Sequence, residues 1–568
     1  MVPVDALNPS DLPTTRKTHN VLDQMDFTST SRTNQTQSEF SLPTPIQVTS
    51  LSFYLENYFE DKKTFLLDGF KYGFALGSEG QLPPKSCQNH PSVALHETFV
   101  QSKLTSEISK KRIKGPYPFP PFHNLICSPL GVVPKRSPNS FRLIHDLSHP
   151  KNGTSVNSTI PESKSHVQLE MFDHVASLVL KSGQHSLIAK ADIEDAFRII
   201  PISPLDYHKL GFSFQNKYYF DTVLPMGASS SVAIFESFSK SIQWILQHKF
   251  AVSKVSHIID DFIFVGSPNT HECQESLDKF MHLASLVGIP VKHDKTVLPA
   301  TSVEVHGIVI NTTTLSAHLP SLKITNLKRI LGQSMQKKKV TLHELQSILG
   351  HLNFACKVIK PGRCFLRRLY DLTKGHTNGS HFIKLSKDCR ADLKLWYTFL
   401  ENYNGVTLLT NDRFISSKTL RLYSDAAGSK GFACTHQNSW TFGEFPETVK
   451  TLHINILELF PIALAVVMFG KYWANKNILF VCDNLAAVHC LNKQTSKDSI
   501  MMKLIRIIVL KALDCNFCFH ATHISSKDNL ICDKLSRLQV AEALKLAPHL
   551  DDHPTPIPIN MSPRRLLK

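Results

Sequence analysis

A chain of 568 residues exceeds what one hydrophobic core can hold, so several domains are expected. At 42% hydrophobic and 19% charged residues the bulk is ordinary globular protein, which excludes a wholly disordered chain, and the twelve scattered cysteines exclude a dense disulfide scaffold and fit a reducing compartment. A net charge of +16 favours a polyanionic partner, most simply nucleic acid, although a plain solubility role would give the same excess.

The start, Met1-Val-Pro-Val-Asp, has no basic region followed by an apolar run, so no signal peptide is expected. The longest apolar segment, Ile454 to Phe469, is interrupted by Glu458 and Pro461, so no membrane span is expected, and the location should be intracellular, cytoplasm or nucleus. Residues 1–48 are rich in Ser, Thr, Asn, Gln and Pro, lack apolar periodicity, and read as disordered. Asp68 to Gly77 reads as a Gly-punctuated packed loop. Lys110-Lys-Arg-Ile-Lys114 is basic: it meets phosphates or is simply a solvated face. Pro116 to Phe122 is an extended aromatic segment.

Ser128 to Lys135 and Phe141 to Leu147 give a strand, a tip and a second strand, with Lys135 and Arg142 near the tip. Such cations suit a triphosphate, Arg in bidentate fashion and Lys as a point charge. An apolar strand from His185 then delivers Asp192, and the chain turns with Asp195 and Phe197. Leu224-Pro-Met226-Gly227 follows; Gly227 would let backbone approach a ligand, and Ser229 to Ser231 would cap a helix with Phe235, Phe238, Ile242, Ile245 and Leu246 on one face. In Val255-Ser-His-Ile-Ile-Asp260-Asp261-Phe-Ile-Phe-Val265, two acids stand between two apolar strands. Ionised carboxylates there cost free energy unless a cation offsets it, and a divalent metal with a taste for oxygen ligands is the natural partner. The plain alternative is a surface Asp-Asp turn.

The order basic hairpin, strand-Asp-x-x-x-Ala-Phe, Leu-Pro-x-Gly and x-x-Asp-Asp between apolar strands resembles a reverse transcriptase palm. The resemblance implies an α+β right-hand polymerase with fingers, a ferredoxin-like palm and a helical thumb. It implies that Asp192 and Asp260 hold two Mg²⁺ (or Mn²⁺), with Asp261 the third acid, for attack of a primer 3′-hydroxyl on a dNTP. Phe197 matches the family's steric gate against a ribose 2′-hydroxyl. Asp195, Met226 and Gly227 would line the dNTP pocket, Lys135 and Arg142 would meet the triphosphate, and Lys295 in Val291-Lys-His-Asp-Lys would be the pyrophosphate-side acid. The chain departs from many relatives at Ile258, where they have Tyr. The implied partners are an RNA template, a DNA primer and an RNA–DNA hybrid; the sequence leaves the oligomeric state open.

Val303 to Ile310 reads as a further hairpin, resembling the primer grip. Leu322 to Leu331 is helical, and Thr341-x-x-Glu344 is a capping box opening a second helix after Lys337, Lys338 and Lys339, which face a duplex backbone or solvent. Beyond this stretch, Leu420 to Asp425 is a strand ending in acid, Glu458 stands in the first turn of a helix where Pro461 is tolerable, and Ile478 to Asp483 is another strand ending in acid. His523-Ile-Ser-Ser-Lys-Asp-Asn529 leads to Asp533. Asp425, Glu458, Asp483 and Asp533 match ribonuclease H in order and spacing. That resemblance implies an α/β domain with a mixed sheet and two Mg²⁺ around these acids, cutting the RNA of a hybrid, with His523 assisting product release and Asn529 in support. Cys515, Cys518, His520 and His523 have zinc-site residue types, but the pairs are too close to wrap a tetrahedral metal and the segment alternates like a strand.

Gly69 to Phe74, Phe141 to Leu147 and His523 to Asn529 look most like the DIRS-type retrotransposon polymerases, a family that normally carries a tyrosine recombinase after ribonuclease H. Its absence here implies a fragment, a split product or a degraded copy, with a recombinase encoded separately. The expected organisation is 1–48 disordered, 49–125 N-terminal extension and start of fingers, 126–312 fingers and palm, 313–415 thumb and connection, 416–545 ribonuclease H-like and 546–568 a Pro-rich linker tail. The rival reading is a catalytically idle, nucleic-acid-binding relic of a retroelement.

Overall fold

Acid-terminated buried strands need neighbours on both edges, and the order of strands in the computed structural model provides them. It describes residues 42–135, 140–151, 153–402, 406–407, 422–474, 476–515, 517–525 and 528–567, in two units that divide between Val303 and Glu304.

The first unit opens with helices α1 (Val48–Tyr54), α2 (Glu60–Tyr72), α3 (Pro91–Leu95) and α4 (Glu97–Ser109). Strands β1 (Ile113–Tyr117), β2 (Leu130–Pro134) and β3 (Phe141–His145) follow, then α5 (Glu162–Ser165), α6 (Phe172–Ser182), β4 (Leu187–Asp192), β5 (Gly211–Phe214) and β6 (Lys217–Asp221). The unit ends with α7 (Ser231–Lys249), β7 (Val255–Ile258), β8 (Asp261–Gly266), α8 (Glu272–Val287) and β9 (Val297–Ala300). The central antiparallel sheet has the order β7-β8-β4-β9, β2 and β3 form a separate hairpin, and β1-β6-β5 make a third sheet. Helices α7 and α8 cover one face of the central sheet. Phe235, Phe238 and Ile242 of α7 and Phe280 and Leu283 of α8 close on Ala189, Ala191, Phe262 and Phe264 of the strands. The 3-4 spacing read in α7 is the reason it lies there.

Several expectations need correction. Residues 44–46, expected to be disordered, are packed: Thr44 Oγ1 donates to the Ile199 carbonyl at 2.7 Å, and Ile46 is buried. Asp68 to Tyr72 is the end of α2, not a loop, because a Cβ at Gly69 would sit 2.2 Å from the Phe74 ring; the glycine lets that ring fold back on its own helix. The serines before α7 do not cap it: Ser230 is already helical at φ −76°, and Ser231 Oγ donates instead to the Pro225 carbonyl at 2.6 Å.

In the second unit, β10 (Ser302–Val305), β11 (Ile308–Asn311) and β12 (Ser316–His318) precede α9 (Ser321–Gln336), β13 (Lys339–Thr341), α10 (Leu342–Ala355), α11 (Arg367–Asp371), β14 (Phe382–Lys384), α12 (Lys387–Asn402) and β15 (Val406–Thr407). Thr341 and Glu344 form the expected capping box on α10. Then come β16 (Leu422–Ala426), β17 (Gly431–His436), β18 (Ser439–Glu444), α13 (Ile454–Phe469), β19 (Asn477–Cys482), α14 (Leu485–Lys493), α15 (Ser499–Asp514), β20 (Cys518–His523) and α16 (Leu530–Ser536). β16-β17-β18 are antiparallel and β19 and β20 are parallel, with α13 packed on β16, β17 and α15.

The boundary expected at 312 falls close to the division between Val303 and Glu304, and the one expected at 415 does not split the second unit. Asp392 of α12 is buried against Arg506 of α15, whose guanidinium also lies 4.5 Å over the Phe365 ring. Nor is 546–568 a linker. Trp440 Nε1 donates to the Asp551 carbonyl at 2.8 Å, Thr555 N to the Trp440 carbonyl at 2.7 Å, and Met561 and Leu566 are buried. Apolar residues placed at intervals among the prolines pin the tail. Helix α13 begins four residues before Glu458, with His453 Nδ1 accepting from Asn455 N, so Pro461 lies in its interior. The helix tolerates the lost N–H because nearly its whole surface is buried. Together with the turn reaching Trp473 it is long and apolar enough to cross a membrane, yet 72% of that stretch is buried inside the unit. Expectations on 1–41, the hairpin tip 136–139, 411–421 and Ser526-Lys527 lie outside the described residues.

Candidate active sites

Register brings the first three acids together. Asp192 is paired with Asp261 across β4 and β8, and Ile258 with Asp261 across β7 and β8, which leaves Ile259 and Asp260 as a two-residue hairpin loop. Such loops take positive φ at their first residue, and Ile259 has φ 56°, a conformation disfavoured for a β-branched side chain. Ser239 of α7 secures the loop by donating Oγ to the Ile259 carbonyl at 2.6 Å.

The acids are held by lysines. Lys295 Nζ stands 2.7 Å from Asp192 Oδ2, and Lys190 Nζ 2.9 Å from Asp261 Oδ2. The Lys295 ammonium is raised chiefly by its hydrogen bond to Asp192. Asp260 is pushed up to about 6, first by burial and then by the charges of Asp192 and Asp261.

Asp192 and Asp260 form part of the wall of a cleft of about 380 Å³ that also takes in Lys135, Arg142, Asp195, Phe197, Met226 and Lys295. Two expected residues lie outside its lining. Asp261 turns to Lys190, and Gly227 is needed against protein: a Cβ there would meet the His145 carbonyl at 2.0 Å. Asp195 is not free in the cleft. It accepts from Arg112 Nη1 at 2.6 Å and Lys110 Nζ at 3.0 Å, whose bonds hold its carboxyl at about 2 against the burial that would raise it.

Sequence reasoning missed a charged cluster under the cleft, in which Arg198 pairs with Glu107 at 3.0 Å and Asp221 at 2.7 Å, and Asp221 with His145 Nδ1 at 3.1 Å. Its partners stand on separate elements, His145 and Asp221 76 residues apart and Glu107 and Arg198 91, and leave no local signal. Lys190 did leave one: it stands two residues before Asp192, on the same side of a strand.

The second group assembles in the other unit. Asp425 ends on β16, Glu458 points from α13, Asp483 follows β19, and Asp533 lies on α16. Glu458 is pushed up to about 9 by burial and then by Asp425 and Asp483, and Asp425 to about 6 by burial, with Asp483 and Asp533 adding to the rise. Ser536 Oγ donates to Asp425 Oδ2 at 2.6 Å, Asn529 Nδ2 to the Ser424 carbonyl at 2.9 Å, and Arg537 Nε to Asp533 Oδ1 at 2.9 Å. Of these helpers only Asn529 was anticipated. His523 Nε2 is 3.0 Å from the Asp483 carbonyl, at the end of β20. Ligand atoms of Glu458, Cys482 and Asp483 all lie within 4.8 Å of one another, a spacing that suits a metal ion. Cys515 closes α15 and Cys518 opens β20, so the alternating strand expected from Cys515 begins only at Cys518.

Comparison with known proteins bears on the first unit above all. Residues 133–310 match the family described as reverse transcriptase (RNA-dependent DNA polymerase). The chain is 24% identical over 274 residues to the Gag-Pro-Pol polyprotein of Mason-Pfizer monkey virus, a match spanning 47% of this chain and 14% of the polyprotein. It is 25% identical over 377 residues to the putative enzymatic polyprotein of Cassava vein mosaic virus, across 64% of this chain and 54% of that one. It thus spans less than two thirds of either relative. A solved structure of the foamy viral protease-reverse transcriptase dRH in complex with ds DNA aligns over 86% of this chain and 84% of its own, at 16% identity and a TM-score of 0.49. The matched residues hold both the sheet that pairs Asp192 with Asp261 and most of the cleft above it, so 133–310 is a reverse transcriptase domain with a polymerase-type α+β fold, of the kind carried by retroelement and retroviral polymerases.

Proposed function

We propose that the chain is an RNA-directed DNA polymerase that copies a retroelement RNA into DNA, and that its second acid cluster cleaves the RNA strand of the resulting hybrid as a ribonuclease H. The observation that carries the reading is the meeting of Asp192, Asp260 and Asp261 at one end of the central sheet, beside a cleft of about 380 Å³ with Lys135, Arg142 and Lys295 in its lining.

The donor sets fit divalent cations. In the first site the charges of Asp192 and Asp261 help to raise Asp260, in the second those of Asp425 and Asp483 help to raise Glu458, and carboxylate oxygens gathered in this way suit Mg²⁺ or Mn²⁺. Asp192 and Asp260 would hold them in the first unit, and Asp425, Glu458, Asp483 and Asp533 in the second. Bound there, the cations would neutralise charge on attacking and leaving oxygens.

The chain's own residues do the rest. Lys135 and Arg142, on the β2–β3 hairpin, grip the triphosphate of a dNTP. Phe197, with its ring at the cleft wall, excludes a ribose 2′-hydroxyl, and Met226 packs beside the base. Lys295 offsets the charge of Asp192 and would serve as the acid on the pyrophosphate side. In the second unit Ser536 and Asn529 orient Asp425, and His523 is fixed through the Asp483 carbonyl. Among retroelements the DIRS type is the preferred reading, on the motifs at Gly69 to Phe74, Phe141 to Leu147 and His523 to Asn529. A genomic locus that encodes a retroviral-type integrase instead of a tyrosine recombinase would sink that refinement alone.

The test is dTTP incorporation on poly(rA)·oligo(dT) with Mg²⁺ or Mn²⁺, beside an Asp260→Asn, Asp261→Asn double variant. Incorporation that vanishes in the variant is the expected result. No incorporation by a folded, hybrid-binding wild type would favour the idle relic. Cleavage of a labelled hybrid, lost in Asp425→Asn, tests the nuclease separately.

A further inference from the structure

The backbone that carries Phe197 is gripped on both sides by a segment upstream of the reverse transcriptase match. On the N-terminal side Asp195 sits in the left-handed region at φ 53°, where an aspartate is tolerated but not held by its own preference. Arg112 and Lys110 hold it, at 2.6 and 3.0 Å. On the C-terminal side Arg198, next to Phe197, is bound by Glu107 at 3.0 Å and Asp221 at 2.7 Å. Glu107 is itself held by Lys103 at 2.6 Å. The Glu107 and Asp221 side chains are only 4% and 5% exposed, so these pairs act where water screens them little.

Glu107, Lys110 and Arg112 come from the end of α4 and the turn after it, all before residue 133. The Phe197 ring is half-buried and rests on Phe235, with centroids 5.3 Å apart. Its resting place therefore depends on a floor, Phe235, and on the two ends of the short 3₁₀ turn that bears it. A steric filter works by the position of an edge, and small displacements matter greatly in such a filter.

We propose that residues 107–112 form a specificity-determining bracket: by holding Asp195 and Arg198, Glu107, Lys110 and Arg112 fix the Phe197 ring in place and so set the preference for deoxyribonucleoside over ribonucleoside triphosphates. These are positioning residues, and the inference rests on the polymerase reading above.

The experiment measures kcat/KM for dTTP and for UTP on poly(rA)·oligo(dT), with the full chain. It compares wild type, Arg112→Gln, Lys110→Gln, Arg112→Lys and Phe197→Ala, each checked for an intact thermal unfolding transition. The dTTP/UTP ratio should fall about tenfold in Arg112→Gln and less in Lys110→Gln, in the direction of Phe197→Ala, and should recover in Arg112→Lys. A merely structural ion pair would change both rates together and leave the ratio alone. Should Arg112→Gln fail to fold, the half-exposed Lys110 still carries the test. An unchanged ratio in the folded glutamine variants, beside a changed one in Phe197→Ala, overturns the bracket and leaves the polymerase standing. A ratio unmoved even by Phe197→Ala overturns it as well. A wild type that incorporates neither nucleotide overturns the polymerase reading, and the bracket with it.

Discussion

Asp260, Asp425 and Glu458 each sit among other carboxylates in ground that disfavours charge, and their pKa values rise to about 6, 6 and 9. A carboxyl whose folded pKa lies above its unfolded value adds stability below the unfolded value and loses it as pH climbs through the folded one. The cation-free protein should therefore lose stability progressively from about pH 4 to about pH 9, with Glu458 responsible for the alkaline part. Glu458→Gln should stabilise the cation-free protein at pH 9 by roughly 2 kcal/mol while abolishing hybrid cleavage; thermal melts with EDTA across pH check the first half. Gly227→Ala should cost about 2 kcal/mol or more, because its Cβ would meet the His145 carbonyl at 2.0 Å, and a urea titration would read it. At this scale the acids were legible because a carboxylate closing an apolar run is costly to bury and so calls for a cation nearby. Arg198 was not, because its partners stand on two other elements, α4 and β6, and Gly227 was legible as a close approach but not as one to the protein's own backbone.

Elements are placed by their ends as much as by their faces. The β7–β8 loop forces Ile259 into positive φ, and one hydroxyl from α7 holds it there. Ser239→Ala should cost about 1 kcal/mol and lower kcat more than KM in the incorporation assay, since the loop carries Asp260. Equal effects on both parameters would deny Ser239 that role. The interior proline of α13 makes the opposite case: Pro461→Ala should stabilise the second unit by about 1–3 kcal/mol, seen as a higher melting midpoint. Helices such as α7 and α10 could be read in advance because periodicity and a capping box are local. The start of α13 could not, since it depends on His453 capping rather than on any apolar rhythm, and the end of α2 hid behind a glycine whose purpose is an aromatic ring five residues on.

Over the whole molecule, a net charge of +16 would make the proposed binding to an RNA–DNA hybrid sensitive to salt. If about 6–10 phosphates are contacted, affinity should fall roughly 10³-fold or more between about 50 and 200 mM salt, measurable by fluorescence anisotropy. Removing residues 548–568 should destabilise the second unit by at least about 3 kcal/mol, since Leu550, Met561 and Leu566 lose their burial and Trp440 its partners. Composition alone made that tail look like a linker, because proline content hides apolar residues spaced too irregularly for a helix or strand. The ion cluster beneath the cleft also has a consequence for descent. Arg198, Glu107 and Asp221 come from three separate elements, and losing any one leaves the buried charges unbalanced, with Lys103 and His145 as the remaining partners of the acids, at up to about 3–5 kcal/mol, a large part of what a domain has to spare. Related sequences should therefore change the three positions jointly or not at all: an arginine-to-leucine exchange at 198 becomes neutral only after the acids have gone, so the order of mutations, and not merely their sum, decides which sequences are reachable.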